Sequence, residues 1–322
     1  MGIPSKSTGL LAAVVSFTSF GTSGAFVKPL LEAGWSPTAA VTARAFTAGL
    51  VLLPFVVMSL RGRWSVLRQA GWPVLGMGLV GVAITQVLYF AAIQRIPVAT
   101  ALLIEFLAPL LLVGFTWATT GRTPAPVVLA GSVLAAGGLV LVIGPGAIQA
   151  VDPIGVAAAF GAAIGCAGYF VIAARPNNGL PPVALAGGGL LLAAPVLALV
   201  GLTGLLPFTA EFDDLPLLGT TTAWWVPLLV VAVFGTALAY ATGITASGIL
   251  GSRLASFVAL LEVVSASLFA WLLLGESLSP LQLAGGALIL AGIAAVRAER
   301  QPAEPSISVP RLATHEGPHP AG

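Results

Sequence analysis

The chain has 322 residues, enough for one or two soluble domains or for a membrane protein of many spans. Charged residues make up only 7% and hydrophobic ones 58%, with a mean hydropathy of +1.04, whereas an average soluble domain is about 25% charged. So few charges cannot cover the surface of a soluble fold, and a net charge of +2 makes no basic patch, so a water-soluble enzyme, a disordered chain and a nucleic-acid binder are excluded.

A membrane-crossing helix takes about 20 apolar residues. Ten stretches of about that length follow one another along the chain. The first five run Thr8–Lys28, Thr38–Ser59, Pro73–Ile93, Val98–Thr119 and Ala125–Gly144. The second five run Pro153–Ala174, Pro181–Thr203, Ala223–Thr245, Ser252–Leu274 and Ser279–Val296. Short separators rich in Gly and Pro, or carrying charge, divide them, as at Arg61-Gly-Arg63 and Arg175-Pro-Asn-Asn. Period-two alternation is absent, so the spans read as helices and not as the strands of a barrel. The segment 297–322 is polar, Pro-rich and aperiodic and reads as a disordered tail. The expected architecture is an all-α integral membrane protein of ten transmembrane helices.

The two halves repeat each other. Without gaps, Gly121 aligns with Gly275, Pro126 with Pro280, Leu129-Ala-Gly131 with Leu283-Ala-Gly285, and Gly138 with Gly292. Earlier in each half, Gly21-Thr-Ser-Gly24-Ala-Phe-Val resembles Gly165-Cys-Ala-Gly168-Tyr-Phe-Val. The first stretch, with Lys6 ahead of it, has the outline of a signal peptide. Its counterpart deep in the chain argues for a retained helix. The repeats are placed at 8–144 and 153–296. Five spans is an odd number, so the second copy enters the membrane from the opposite face: a five-plus-five inverted-topology repeat, a construction common among secondary transporters.

With the N-terminus in the cytoplasm, Arg61, Arg63, Arg68, Arg122, Arg175, Arg253, Arg297 and Arg300 all fall on that side, and only Arg95 among the arginines outside the spans falls opposite. This fits the positive-inside rule, with both termini cytoplasmic in a cell membrane. Trp35, Trp64, Trp72, Trp117, Trp224, Trp225 and Trp271 lie at or near span ends, as interfacial anchors do.

The ten-span inverted repeat resembles the EamA-type carriers of the drug/metabolite transporter superfamily. The resemblance covers Thr8 to Val296 and is carried by Arg44, by PVATALLIEFLAP from Pro97 to Pro109, by Leu261-Glu262, and by Leu274-Gly-Glu276 with Gly285. The string from Tyr89 to Pro97 together with Glu105-Phe-Leu-Ala-Pro109 is similar to the threonine/homoserine exporter branch. The resemblance implies export of amino acids, other small metabolites or drugs, usually driven by an ion gradient. In the first half, Arg122 stands where the family usually has an acidic residue, as Glu276 does in the second.

Ionisable groups inside spans are costly, about 2.5–3.5 kcal/mol each on insertion scales, so they face a cavity or a partner. Lys28, near the end of its span, fits snorkelling to the interface. Arg44 lies about 9 Å, and Glu105 about 10 Å, from the outer ends of spans two and four at 1.5 Å per residue. Equal depth and opposite charge make them a candidate pair, as a gate or substrate site or as a purely structural salt bridge. Glu262 is expected near the middle of span nine with no basic residue at its level. A carboxyl there that takes up and releases a proton suits proton coupling; one hydrogen-bonded to a neighbouring helix is the structural alternative. Tyr89, Tyr169 and Tyr240 lie inside spans, where a ring and a hydroxyl suit a small zwitterion or an aromatic substrate but also suit packing.

Three functions fit these residues. The first is a proton-coupled exporter of amino acids or related metabolites. The second is a carrier of another class, such as drugs or sugar phosphates; the latter would want a basic cluster, and only Arg44 is available. The third is a membrane-embedded enzyme, for which no recognised nucleophile–base spacing exists. The single Cys166 and the tail residues His315 and His319 offer no metal site, and no cofactor is expected.

Overall fold

The computed structural model describes residues 5–121, 123–144, 152–175, 179–275 and 278–299. Ten helices are long and apolar enough to cross a membrane. They are span one (Lys6–Glu32), two (Pro37–Leu60), three (Gly71–Ile93), four (Thr100–Thr120) and five (Pro126–Ile143), then six (Pro153–Ala174), seven (Pro182–Leu202), eight (Trp225–Leu250), nine (Ser252–Leu273) and ten (Pro280–Arg297). Proline sits in the first turn of several of them, where its missing N–H costs nothing. Most of the expected tail, together with Arg122 and Glu276, lies outside the described residues.

Each span packs chiefly on the other repeat. Span one lies against spans eight and nine; its counterpart, span six, lies against spans three and four. Span two packs on span seven, and span five on span ten. The map from one repeat to the other leaves this set of contacts unchanged, as a pseudo-two-fold axis requires.

Glycines at the repeat positions make the crossing of spans five and ten. A Cβ on Gly131 would stand 2.8 Å from the Gly292 carbonyl oxygen, and one on Gly292 would stand 2.7 Å from that of Gly131. Gly138 and Gly285 stand in the same reciprocal relation at 2.5 and 2.6 Å. Residues that align in sequence thus face each other crosswise, and only glycine allows the backbones so close.

Four spans depart from regular α-helix, at matching places. Span three contains a π-helical segment, Met77–Ile84, and span eight another, Val233–Leu238. The Thr85 hydroxyl donates to the carbonyl five residues back, Val80, at 2.6 Å; Thr236 does the same to Val231 at 3.0 Å. Spans four and nine, expected as continuous, are each broken. Span four stops at Glu105 and resumes at Ala108; span nine stops at Ala259 and resumes at Leu261. Pro109 accounts for the first break, since it has no N–H to bond the Glu105 carbonyl four residues back. By the 154-residue offset of the repeats, Phe106 maps onto Leu260, so the second break is the same feature, without a proline to mark it.

Outside the spans, a two-stranded hairpin pairs Leu215–Leu217 with Thr220–Thr222 through a turn at Leu218-Gly219. Both turn residues have positive φ, 51° and 80°, as a tight hairpin turn demands. The connection carrying it is fastened by Trp35, whose indole N–H donates to the Glu211 carbonyl and whose ring stacks on Trp224 at 5.7 Å. Trp35 is therefore buried and is not the lipid anchor its position suggested; Trp64, Trp72, Trp117, Trp225 and Trp271 are exposed.

Two ion pairs tie span ends together. Arg95, after span three, meets Asp152, the N-cap of span six, at 3.5 Å. Asp152 also accepts from the backbone N–H groups of Ile154 at 2.7 Å and Gly155 at 3.1 Å; these bonds, to Gly155 first, hold its carboxyl below its ordinary value, with Arg95 adding to them. The other pair joins Arg253, at the start of span nine, to Glu299, after span ten.

Adjacent glycines test the crossing. Nothing lies near a Cβ on Gly137, while one on Gly138 meets the span-ten backbone. Gly138→Ala lowers thermal stability in detergent by about 1–3 kcal/mol through overpacking. Gly137→Ala leaves it unchanged or raises it by up to ~1 kcal/mol through helix propensity.

Candidate substrate cavity

The two broken helices and one π-segment border a cavity of about 350 Å³ at the meeting of the repeats. Spans one, two, three, four, six, eight and nine contribute to its wall. All six candidate residues line it: Arg44, Tyr89, Glu105, Tyr169, Tyr240 and Glu262.

Each ionisable group is placed by a local feature of its helix. Glu105 is the last residue of the half-helix Val98–Glu105, and Glu262 lies in the first turn of the half-helix Leu261–Leu274. A half-helix presents partial positive charge at its N-terminus and partial negative charge at its C-terminus. The two carboxylates therefore sit at dipole ends of opposite sign, although both stand beside equivalent breaks. The repeat offset maps Glu105 onto Ala259 and Glu262 onto Ala108, and all four positions line the cavity. The symmetry is kept in the backbone and broken in the side chains.

Arg44 comes from the unbroken span two and lies within electrostatic reach of both carboxylates. This corrects two expectations. Glu262 is not isolated from basic charge, and Arg44 is not reserved to Glu105. Among the described residues no ion pair within 4.0 Å joins these three, and the lining carries one cation and two carboxyl groups. Lys28 is exposed one turn before the end of span one and does not line the cavity.

Five aromatic side chains form a closed circuit in the wall. Phe20 contacts Phe17 at 6.3 Å, Phe17 contacts Phe170 at 6.2 Å, and Phe170 contacts Tyr169 at 5.0 Å. Tyr169 then meets Tyr240 at 5.7 Å, and Tyr240 closes the circuit on Phe20 at 5.2 Å. Spans one, six and eight supply these rings. Phe17, Tyr169, Phe170 and Tyr240 are buried, while Arg44, Tyr89, Glu105 and Glu262 are half-buried. The Tyr169 hydroxyl lies against Gly243 and is, among the described residues, a buried polar group without a hydrogen-bond partner.

Several lining residues went unread in the sequence. Gln86, Ser23, Ser256 and Phe106 are neutral, and in so apolar a chain nothing distinguishes a cavity-facing one from a packed one. A proline four residues after Glu105 was the one usable signal. No cluster of three His, Cys, Asp or Glu residues that could hold a metal ion occurs among the described residues.

The model of the EamA-like transporter family matches residues 7–144 and again 153–298. The chain belongs to this family. Each match covers five of the ten spans. The EamA-like chain is similar to an uncharacterized transporter of Bacillus subtilis (strain 168), YwfM, at 27% identity over 283 residues, 87% of this chain and 90% of that protein. A protein of known crystal structure, 23% identical, superimposes with a TM-score of 0.70, covering 90% of this chain and 98% of that one, and so has the same fold. The protein is a multi-pass membrane transporter of the EamA-like family.

Arg44 and Glu105 are tested by a double-mutant cycle. Arg44→Ala reduces transport in proteoliposomes by leaving two carboxyl groups without a cation, and Glu105→Ala reduces it by removing the group at Arg44's own depth. The double variant loses less than the two effects combined, by a coupling of about 0.5–3 kcal/mol. Strict additivity would show that the two residues act independently.

Proposed function

We propose that the protein is a secondary-active exporter of amino acids or related small metabolites, coupled to protons through Glu262. The observation that carries this reading is one cavity lined by a guanidinium, two carboxyl groups and three tyrosines. A zwitterion offers a carboxylate for Arg44 and an ammonium group for Glu105 or Glu262, and the aromatic rings offer an apolar surface to its side chain. The volume, about 350 Å³, lies at the lower end of the roughly 300–1,000 Å³ usual for small-molecule sites. A sugar phosphate would meet one arginine and two carboxylates, a poor balance for a dianion. The similarity to the threonine/homoserine exporter branch points the same way.

Alternating access follows from the repeat. In this reading the aromatic circuit closes one end of the cavity. Exchanging the conformations of the two repeats seals the other end and opens this one. The Tyr169 hydroxyl, unpartnered with this end closed, gains water or a substrate group when the circuit parts. Glu262, at the start of its half-helix, releases its proton to one side and takes up another from the opposite side. The distribution of arginines supports an orientation with both termini on the cytoplasmic side of a cell membrane.

Two experiments test this reading. Glu262→Gln keeps size and hydrogen bonding but removes the proton cycle. The variant should insert and still exchange labelled for unlabelled substrate, while efflux driven by a pH gradient falls at least tenfold, about 1.4 kcal/mol. Undiminished pH-driven efflux would leave Glu262 a packing residue. For orientation, single cysteines near Arg63 and Arg175, in a Cys166→Ser background, should react only from the cytoplasmic side and one near Asp213 only from outside. Labelling of positions 63 and 213 from the same face would overturn the orientation.

A further inference from the structure

A second cavity, of about 560 Å³, lies at the face of the bundle where span one begins, span eight ends and span ten ends. Lys6 and Ser7 reach it from the start of span one, Ser252 and Arg253 from the start of span nine, and Arg297 and Glu299 from the end of span ten. Three cations and one carboxylate leave a net charge of +2. Glu299 is engaged with Arg253. Among the described residues no carboxylate pairs with Lys6 or Arg297.

Two further features point to an anion with an apolar part. The helix Ser252–Ala259 starts at this cavity with Gly251 as its N-cap, and no side chain caps it. Its first N–H groups are therefore open to a bound anion. Below the charged rim, the wall is made by Leu10, Ile249, Leu250, Leu254 and Val296. Charged residues at the span ends thus lie beside apolar residues of the same spans, an order that matches the headgroup and acyl chain of a phospholipid.

We propose that this cavity binds an anionic phospholipid, with the headgroup phosphate held by Lys6, Arg253 and Arg297 and an acyl chain lying on the apolar wall. Lys6 opens span one, the first span of the first repeat, and the two arginines stand on spans nine and ten of the second. A headgroup between them bridges the repeats. Free phosphate shares the headgroup chemistry but leaves the apolar wall uncovered. The inference stands apart from the transport reading and does not need the substrate to be known.

The test uses the purified full-length protein in detergent, with bound lipid counted by native mass spectrometry and thermal stability followed in parallel. Phosphatidylglycerol is compared with phosphatidylcholine and with inorganic phosphate. Phosphatidylglycerol should bind and raise the Tm, with phosphatidylcholine much weaker on both measures. Lys6→Gln/Arg297→Gln should weaken phosphatidylglycerol binding roughly thirty-fold, since two interfacial cations are lost. The charge-keeping Lys6→Arg/Arg297→Lys should bind as the parent does. Equal binding of the two lipids to the parent protein, or undiminished phosphatidylglycerol binding by the neutralised variant, would overturn the proposal. A Tm shift from inorganic phosphate as large as that from phosphatidylglycerol would overturn the lipid assignment in favour of a free anion. The comparison of lipids on the parent protein decides the matter even if the neutralised variant does not fold.

Discussion

Hydrocarbon offers no hydrogen-bond partner, so every charge and every open backbone group within the membrane must be answered inside the protein. Most of this chain meets the constraint by being helical and apolar. The exceptions gather in one place. Spans four and nine break at the cavity, and Arg44, Glu105 and Glu262 converge on the same space. Irregular backbone at membrane depth is tolerated where it lines a cavity, and the cavity in turn is what makes the three charged groups affordable.

The packing between repeats supports this arrangement. At the crossing of spans five and ten, glycines bring two backbones together around the pseudo-two-fold axis, with no side chain between them. Spans one and six each lie across the π-segment of the opposite repeat; Ser23 bonds the Gly235 carbonyl at 3.3 Å, and Gly165 lies against Thr85. π-Helical turns recur at functional sites because they shift a helix face without ending the helix. Here they occur as a pair, one per repeat. Two halves with the same irregularities can exchange shapes, which is the physical content of alternating access in an inverted repeat.

Chemistry distinguishes the halves where the backbone does not. One carboxylate ends a half-helix and the other begins one, although equivalent positions in both repeats face the cavity. The aromatic circuit draws on span one and span six together with span eight, with no matching ring from span three. A site of perfect symmetry would bind a substrate in two equivalent ways. This cavity is not symmetric in its side chains, since its carboxyl groups stand at dipole ends of opposite sign and its one guanidinium has no counterpart.

The sequence by itself determined the number of spans, the inverted repeat, the glycine register of spans five and ten, and six of the residues that line the cavity. Each is written in a local or periodic signal: runs of about 20 apolar residues, aligned Gly and Pro, and ionisable groups where they are costly. Only the tertiary structure decided that Arg44, Glu105 and Glu262 share one cavity, that span nine breaks at Leu260 without a proline, and that Trp35 is buried beneath the hairpin connection. It also decided which neutral residues, such as Gln86 and Phe106, face the cavity. The reason is that span-to-span contacts set these features. In a chain that is apolar on every helix face, composition does not mark which face turns to lipid, to a neighbouring span or to the cavity, and only the packing of the repeats does.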